Sequence, residues 1–337
     1  MNPKELAVAV MNGQPVEKLP FMPITMMFAA DRINVPYRRY ATEAALMARG
    51  QLKIAEEFGA AQISAISDPG VEAHDLGADI GFPENNPPYV NEENALFADK
   101  AALVGAKTIR PESGKRMSNR VEAVRLMAEA AENDRLVEGW VEGPCAEASD
   151  LRGINRLMTD FFDDPSFVAD LMDFVTEQAI LFARAQIRAG AQIVGIGDAA
   201  SSLIGPDLYA EFSVPRTKRY INAIHDEGAL VRLHICGRTE GLAPFWKELG
   251  ADMIDVDAGN SIAAIREALG PNVSALAGNL DPVREVRDSL PSAIAKRLNA
   301  CRKESAPRFI VGAGCEIPRD CPADNLMAMK HFADNLK

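Results

Sequence analysis

The chain has 337 residues, 25% of them charged and 47% hydrophobic, with a formal net charge of -12. That acidity argues against nucleic acid and anionic membranes as partners. No uncharged apolar run is long enough for a membrane span and no charged-then-apolar leader opens the sequence, so neither a span nor a signal peptide is expected. Five cysteines, an odd number spread through a large chain, fit reduced thiols in a cytoplasm better than a disulfide framework.

In chain order, a short strand is expected near Phe21 to Thr25, then one over Gln62 to Ser67. The polar, proline-rich stretch from Phe82 to Glu93 reads as an excursion loop, and a further strand is expected near Lys107 to Arg110. Apolar runs follow over Leu136 to Val141, Gln192 to Gly197, Leu230 to Ile235, Met253 to Val256, Val273 to Ala277 and Arg308 to Val311. Short, continuously apolar runs separated by helix-length segments are the pattern of buried parallel strands. Four of the preceding segments end in Gly-Ala, at Gly59, Gly190, Gly228 and Gly250, where a helix C-terminus needs a left-handed residue. Ser166 to Arg188 carries helical spacing, and Asp281-Pro282 places a capping side chain before a proline in a first turn. Repeated βα units in this number predict a single-domain α/β fold, a (β/α)8 TIM barrel. A doubly wound sheet is the alternative, but no Gly-x-Gly-x-x-Gly follows the first strand.

Polar residues collect where these strands end: Asp68, Glu142, Asp198, His234, Cys236, Asp257, Asn279 and Cys315. In a barrel those ends converge on one mouth, the place of the chemistry. For any single aspartate, capping the next helix is an equally good reading. The segment Leu233-His234-Ile235-Cys236-Gly237 places His234 and Cys236 on one face, because strand residues two apart point the same way. Counted with the Lys107 strand, this is the sixth strand, and Cys315 follows the last. One imidazole and two thiolates make a soft set that suits Zn²⁺ and leaves one exchangeable position, the form of a catalytic zinc site. Gly312 and Gly314 would leave room beside the metal. Taken alone, a His-x-Cys strand is more often a packed histidine beside an inert thiol. Cys145 and Cys321 are weaker candidates as ligands, and Cys301 reads as packing.

The chain resembles the uroporphyrinogen decarboxylase superfamily, and within it the zinc-dependent cobamide methyltransferases. The resemblance runs through Met11-Asn12-Gly13-Gln14-Pro15, Leu19-Pro20-Phe21-Met22-Pro23, Asp68-Pro69-Gly70-Val71-Glu72-Ala73 and Leu76-Gly77-Ala78. The motifs Leu233-His234-Ile235-Cys236-Gly237 and Gly314-Cys315 match the methyltransferase branch. The resemblance implies zinc held by His234, Cys236 and Cys315, and a corrinoid brought by a corrinoid-binding partner protein, since the chain has no Asp-x-His-x-x-Gly motif. It implies a small-molecule methyl donor or a thiol acceptor as substrate. Asp257 stands where the branch has an acidic residue and would take the fourth metal position or cap a helix; Glu72 and Asp198 would orient substrate or support the ligands. The decarboxylase branch fits less well, because Met26-Met27-Phe28-Ala29-Ala30 replaces its arginine-bearing segment. A metal-free decarboxylase and a silent scaffold are the two remaining readings.

Overall fold

The computed structural model describes residues 1–336. Seven parallel strands form one sheet in the order β1 (Gln62–Ser64), β4 (Leu136–Glu142), β5 (Ile193–Gly197), β6 (Leu230–His234), β7 (Met253–Val256), β8 (Ala275–Gly278) and β9 (Phe309–Ile310). A separate antiparallel hairpin pairs β2 (Ile80–Gly81), just before the expected excursion loop, with β3 (Tyr89–Val90) inside it. The segment at Phe21 joins the sheet's two edges. Phe21 bridges Val311 in parallel, and its carbonyl accepts from the Ala61 N–H at 2.8 Å. This eighth stave closes the sheet into the expected barrel.

Two expectations need correction. Pro20 and Pro23 flank Phe21 and Met22 and remove ladder donors, so the first stave is a single bridge and not a strand reaching Thr25. Lys107 to Arg110 is not a strand: the Ile109 N–H donates to Gln178 Oε1 at 2.8 Å, and Gln178 Nε2 donates to the Ile109 carbonyl at 3.1 Å. A glutamine side chain on the helix Pro165–Arg188 thus does the work of a neighbouring strand. With that segment gone, β6 is the fifth stave around the barrel, not the sixth.

All four Gly-Ala junctions adopt positive φ, from 67° at Gly59 to 117° at Gly190, as helix C-termini require. Asp281 accepts hydrogen bonds from Val283 N–H and Arg284 N–H, capping the short helix Pro282–Arg287.

The barrel interior is layered. At the bottom, Leu136, Ile193, Met253, Ala275 and Ile310 pack with Ala7, Val10 and Met11 of the N-terminal helix Pro3–Met11, which plugs that end. Above them Arg232, 2% exposed, donates from Nε and Nη2 to Asp255 at 2.7 and 3.0 Å and from Nη1 to Glu138 at 3.3 Å. Such a buried ion network is tolerated because hydrogen bonds offset the desolvation of its charges. Trp140 is in register with Arg232 through Gly195, and His234 lies two residues further along β6 towards the mouth, its ring centre 6.0 Å from that of Trp140.

Candidate metal centre

Register fixes what meets at the mouth. Glu142 on β4 lies opposite Gly197 on β5, Gly197 opposite His234 on β6, and His234 opposite Asp255 on β7. Cys236 lies two residues beyond His234 and just past the strand end. Cys315 arrives from the turn after β9, where Gly314 allows close approach: a Cβ there would lie 2.5 Å from the Ala258 backbone nitrogen. The missing side chain therefore makes room for the loop after β7, and not for a metal as expected. A Cβ at Gly312 would meet only ordinary contacts.

The structure brings His234, Cys236 and Cys315 together, their ligand atoms all within 4.8 Å of one another. Nε2 of His234 lies 3.0 Å from the Cys236 sulfur and 3.7 Å from the Cys315 sulfur, and the sulfurs are 3.6 Å apart. With Zn–S near 2.3 Å and Zn–N near 2.05 Å, one face of a tetrahedron would have edges of about 3.8 Å between sulfurs and about 3.6 Å from nitrogen to sulfur. Two of the three observed edges match, and the third needs to open by about half an ångström. The donor set and its spacing fit zinc.

The sequence reading missed Asp255. Its Oδ2, 2.8 Å from Nδ1 of His234, fixes the ring so that Nε2 meets the sulfurs. This carboxylate–histidine pairing is the usual support of a metal-bound imidazole. The signal was there in Met253-Ile254-Asp255-Val256, a charge inside an otherwise apolar buried strand. Burial alone would depress His234, but the hydrogen bond to Asp255, followed by contact with Cys315, raises its pKa to about 10. The hydrogen bond with Cys236 brings Cys315 down to about 4 against the effect of burial, while Cys236 is pushed far up by the same bond and by burial.

Asp257 is outside this trio. Its Oδ2 accepts the Gly237 N–H at 2.7 Å, next to Cys236, so it braces the loop that carries a sulfur. It does not cap the next helix, Ile262–Leu269; Ser261 does. Asp198, 1% exposed, accepts from the N–H groups of Cys145 and Ala146 at 3.1 and 2.8 Å and from the Ser201 hydroxyl. It therefore holds the N-terminus of the helix Pro144–Arg152 from a neighbouring strand. Asp198→Ala should destabilise the protein by about 0.5–2 kcal/mol, the value of a lost N-cap, with zinc content unchanged. Chemical unfolding beside metal analysis checks this, and loss of zinc at retained stability would contradict it.

Glu72 sits behind the site, its Oε1 accepting the Glu142 N–H at 3.0 Å. Burial raises its pKa to about 7, well above the value of about 4.3 for an unfolded glutamate. The folded state then holds an extra proton between those values, so this group's contribution to stability falls as pH rises through that window. Relative to wild type, Glu72→Gln should gain stability between about pH 5 and about pH 8 in urea unfolding; parallel curves would contradict the assignment. Cys145, Cys301 and Cys321 are buried, free and apart from the trio.

Compared with known proteins, residues 2–336 match the family model described as Uroporphyrinogen decarboxylase (URO-D). The chain belongs to that family. It is 25% identical to methylcobamide:CoM methyltransferase MtbA of Methanosarcina mazei, over 99% of this chain and 98% of the relative. It is 23% identical to methylcobamide:CoM methyltransferase MtaA of Methanosarcina barkeri, over 97% and 96%. A uroporphyrinogen decarboxylase of Nocardia farcinica is 28% identical, over 84% of this chain and 73% of its own length. Among solved structures, a methyltransferase from Methanosarcina mazei superposes with a TM-score of 0.90 at 22% identity, covering 99% and 98% of the two chains. The barrel is therefore that of the family over its whole length.

Proposed function

We propose that this chain is a single-domain, zinc-dependent methyltransferase that moves a methyl group between a small substrate and a corrinoid carried by a separate protein. The observation that carries the reading is the trio of His234, Cys236 and Cys315 at the barrel mouth, backed by Asp255. Near full-length similarity to methylcobamide:CoM methyltransferases supports it. Five free thiols support a reducing, cytoplasmic setting, and no described helix is long and apolar enough to cross a membrane.

His234, Cys236 and Cys315 would hold the zinc, and the open side of their triangle would take the substrate. Zinc, when bound, supplies Lewis acidity, which lowers the pKa of a thiol or draws charge from a departing ether oxygen. Asp255 keeps Nε2 of His234 aimed at the site. Asp257 steadies the Cys236 loop and is the acid assigned to the fourth position when no substrate is bound. Two thiolates and a neutral imidazole leave the loaded site about neutral before substrate binds, so a bound thiolate keeps nucleophilic charge. The decarboxylase reading is weaker, because Met26 to Ala30 lacks the arginines for a porphyrinogen's carboxylates and that reaction has no use for the trio.

The test is a spectroscopic one. Zinc-loaded protein is mixed with cob(I)alamin and methyl ethers, and in the reverse direction with methylcobalamin and thiols including coenzyme M. Appearance or loss of the methylcobalamin spectrum in at least one direction is expected. Turnover of a porphyrinogen without corrinoid, with no methyl transfer in either direction, would overturn the proposal.

A further inference from the structure

Glu142 has no part in the site as described so far. It ends β4 and stands in register, through Gly197, with His234, so both side chains project into the barrel from one layer. The Trp140 indole lies between them. Its ring centre is 6.0 Å from that of His234, and its N–H donates to Glu142 Oε1 at 3.3 Å. Gly195 and Gly197 admit the ring, since a Cβ at either would lie 2.1 or 3.0 Å from it.

With Ile24 and Ile66, Trp140 forms a small apolar cluster separate from the other cores; the three are 6–8% exposed. This shelf stands at the upper ends of the first three staves, beside the metal trio. The buried arginines Arg116, Arg120 and Arg232 are paired with Asp68, Glu138 and Asp255, so none of them is free for an anionic substrate group.

Behind Glu142 lie Glu72, Glu147 and Asp150. Neither carboxyl oxygen of Glu147, 1% exposed, has a partner among the described residues, nor does Oδ2 of Asp150. Ionising buried carboxyls without partners is costly, so such a group retains protons and titrates as a set. Burial, then the charges of Glu72 and Asp150, push the Glu142 carboxyl well above the ordinary range. Because Oε1 accepts from the indole, the proton belongs on Oε2, which has no protein partner among the described residues.

We propose that Glu142 is the proton donor of this site, and that the methyl donor is a neutral methyl ether whose apolar, ring-sized skeleton rests on Trp140, Ile24 and Ile66. The proposal rests on the corrinoid-linked methyl transfer argued above and names its substrate class. In the transfer, the electron pair of cobalt(I) forms the Co–C bond as the C–O bond breaks. The C–O pair stays on oxygen, which takes the Glu142 proton, and solvent reprotonates the carboxylate. A thiolate leaves without a proton, whereas an oxygen leaving group needs one.

Binding is read first, with zinc-loaded protein and no corrinoid, by titrating methoxybenzene against tryptophan fluorescence. The chain has two tryptophans and Trp246 is 0% exposed, so saturable quenching reports on Trp140; it should vanish in Trp140→Phe. Turnover is then followed with cob(I)alamin and a series of para-substituted methoxybenzenes. Glu142→Gln keeps an acceptor for the indole and adds no charge, so it should fold and hold zinc. Its rate should fall by about 10²- to 10⁴-fold on the poorest leaving groups, and progressively less as the phenol becomes more acidic. A loss uniform across the series would overturn the proton-donor role. If no methoxybenzene binds or reacts while methylcobalamin and a thiol do, the ether proposal fails and methyl transfer stands. If neither direction proceeds, methyl transfer fails and the proposal falls with it.

Discussion

Replacing Cys236 or Cys315 by alanine is expected to abolish stoichiometric zinc binding, and methyl transfer with it. Two remaining protein ligands rarely retain a catalytic zinc, because its stable sites use three or four. The effect is large because each sulfur is one corner of a triangle whose corners are set separately: His234 by Asp255, Cys236 by the Asp257 bond to the Gly237 N–H, and Cys315 by the close packing of Gly314 on Ala258. Cys301 is the control. It is 0% exposed and its thiol contacts Asn279 Oδ1 at 3.5 Å, so Cys301→Ala should leave zinc in place and cost about 1 kcal/mol of packing. Metal analysis of purified variants separates the cases. Full zinc occupancy in Cys315→Ala, with loss in Cys145→Ala or Cys321→Ala, would remove the turn after β9 from the site.

Asp255→Ala should have the largest effect on stability. It removes both close acceptors of the Arg232 guanidinium and leaves only Glu138, at 3.3 Å or more. An arginine that is 2% exposed then carries a charge without adequate compensation, a loss of about 3–5 kcal/mol for breaking a buried pair. The same change frees Nδ1 of His234, and zinc affinity should fall by about 10- to 100-fold. Urea unfolding and competitive zinc titration measure the two effects. A variant as stable as wild type, with unchanged affinity, would show that Asp255 neither holds Arg232 nor aims His234. Asp255→Asn should lie between the two, since it keeps the shape and loses the charge.

Much of this arrangement was legible in the sequence because it follows from local rules. The Gly-Ala junctions mark helix ends through a backbone requirement that glycine alone meets cheaply, and they place the strands that follow. His234 and Cys236 share a face through the two-residue period of a strand. Convergence of strand ends at one mouth then joins them to Cys315 across 79 residues. What escaped depends on contacts that no local pattern encodes. Ile109 looks like a strand residue until Gln178, 69 residues away, takes both its backbone groups. Asp198 reads as orienting substrate or supporting the ligands, and spacing gives no sign that its Oδ1 also holds the start of a helix that begins at Pro144. Asp255 was hidden by its own burial: an acid within an apolar run gains meaning only when Arg232 and His234 are seen on the adjacent strand. The roles of Glu142 and Trp140 depend on register between β4, β5 and β6, which sequence spacing cannot supply.

Zinc K-edge X-ray absorption on the purified, zinc-supplied protein tests the central claim most directly. The account predicts one tightly held zinc with two sulfur neighbours at about 2.3 Å, one imidazole nitrogen at about 2.0–2.1 Å and one light, exchangeable neighbour. A shell of oxygen and nitrogen alone, or no zinc retained after it is supplied, would contradict it.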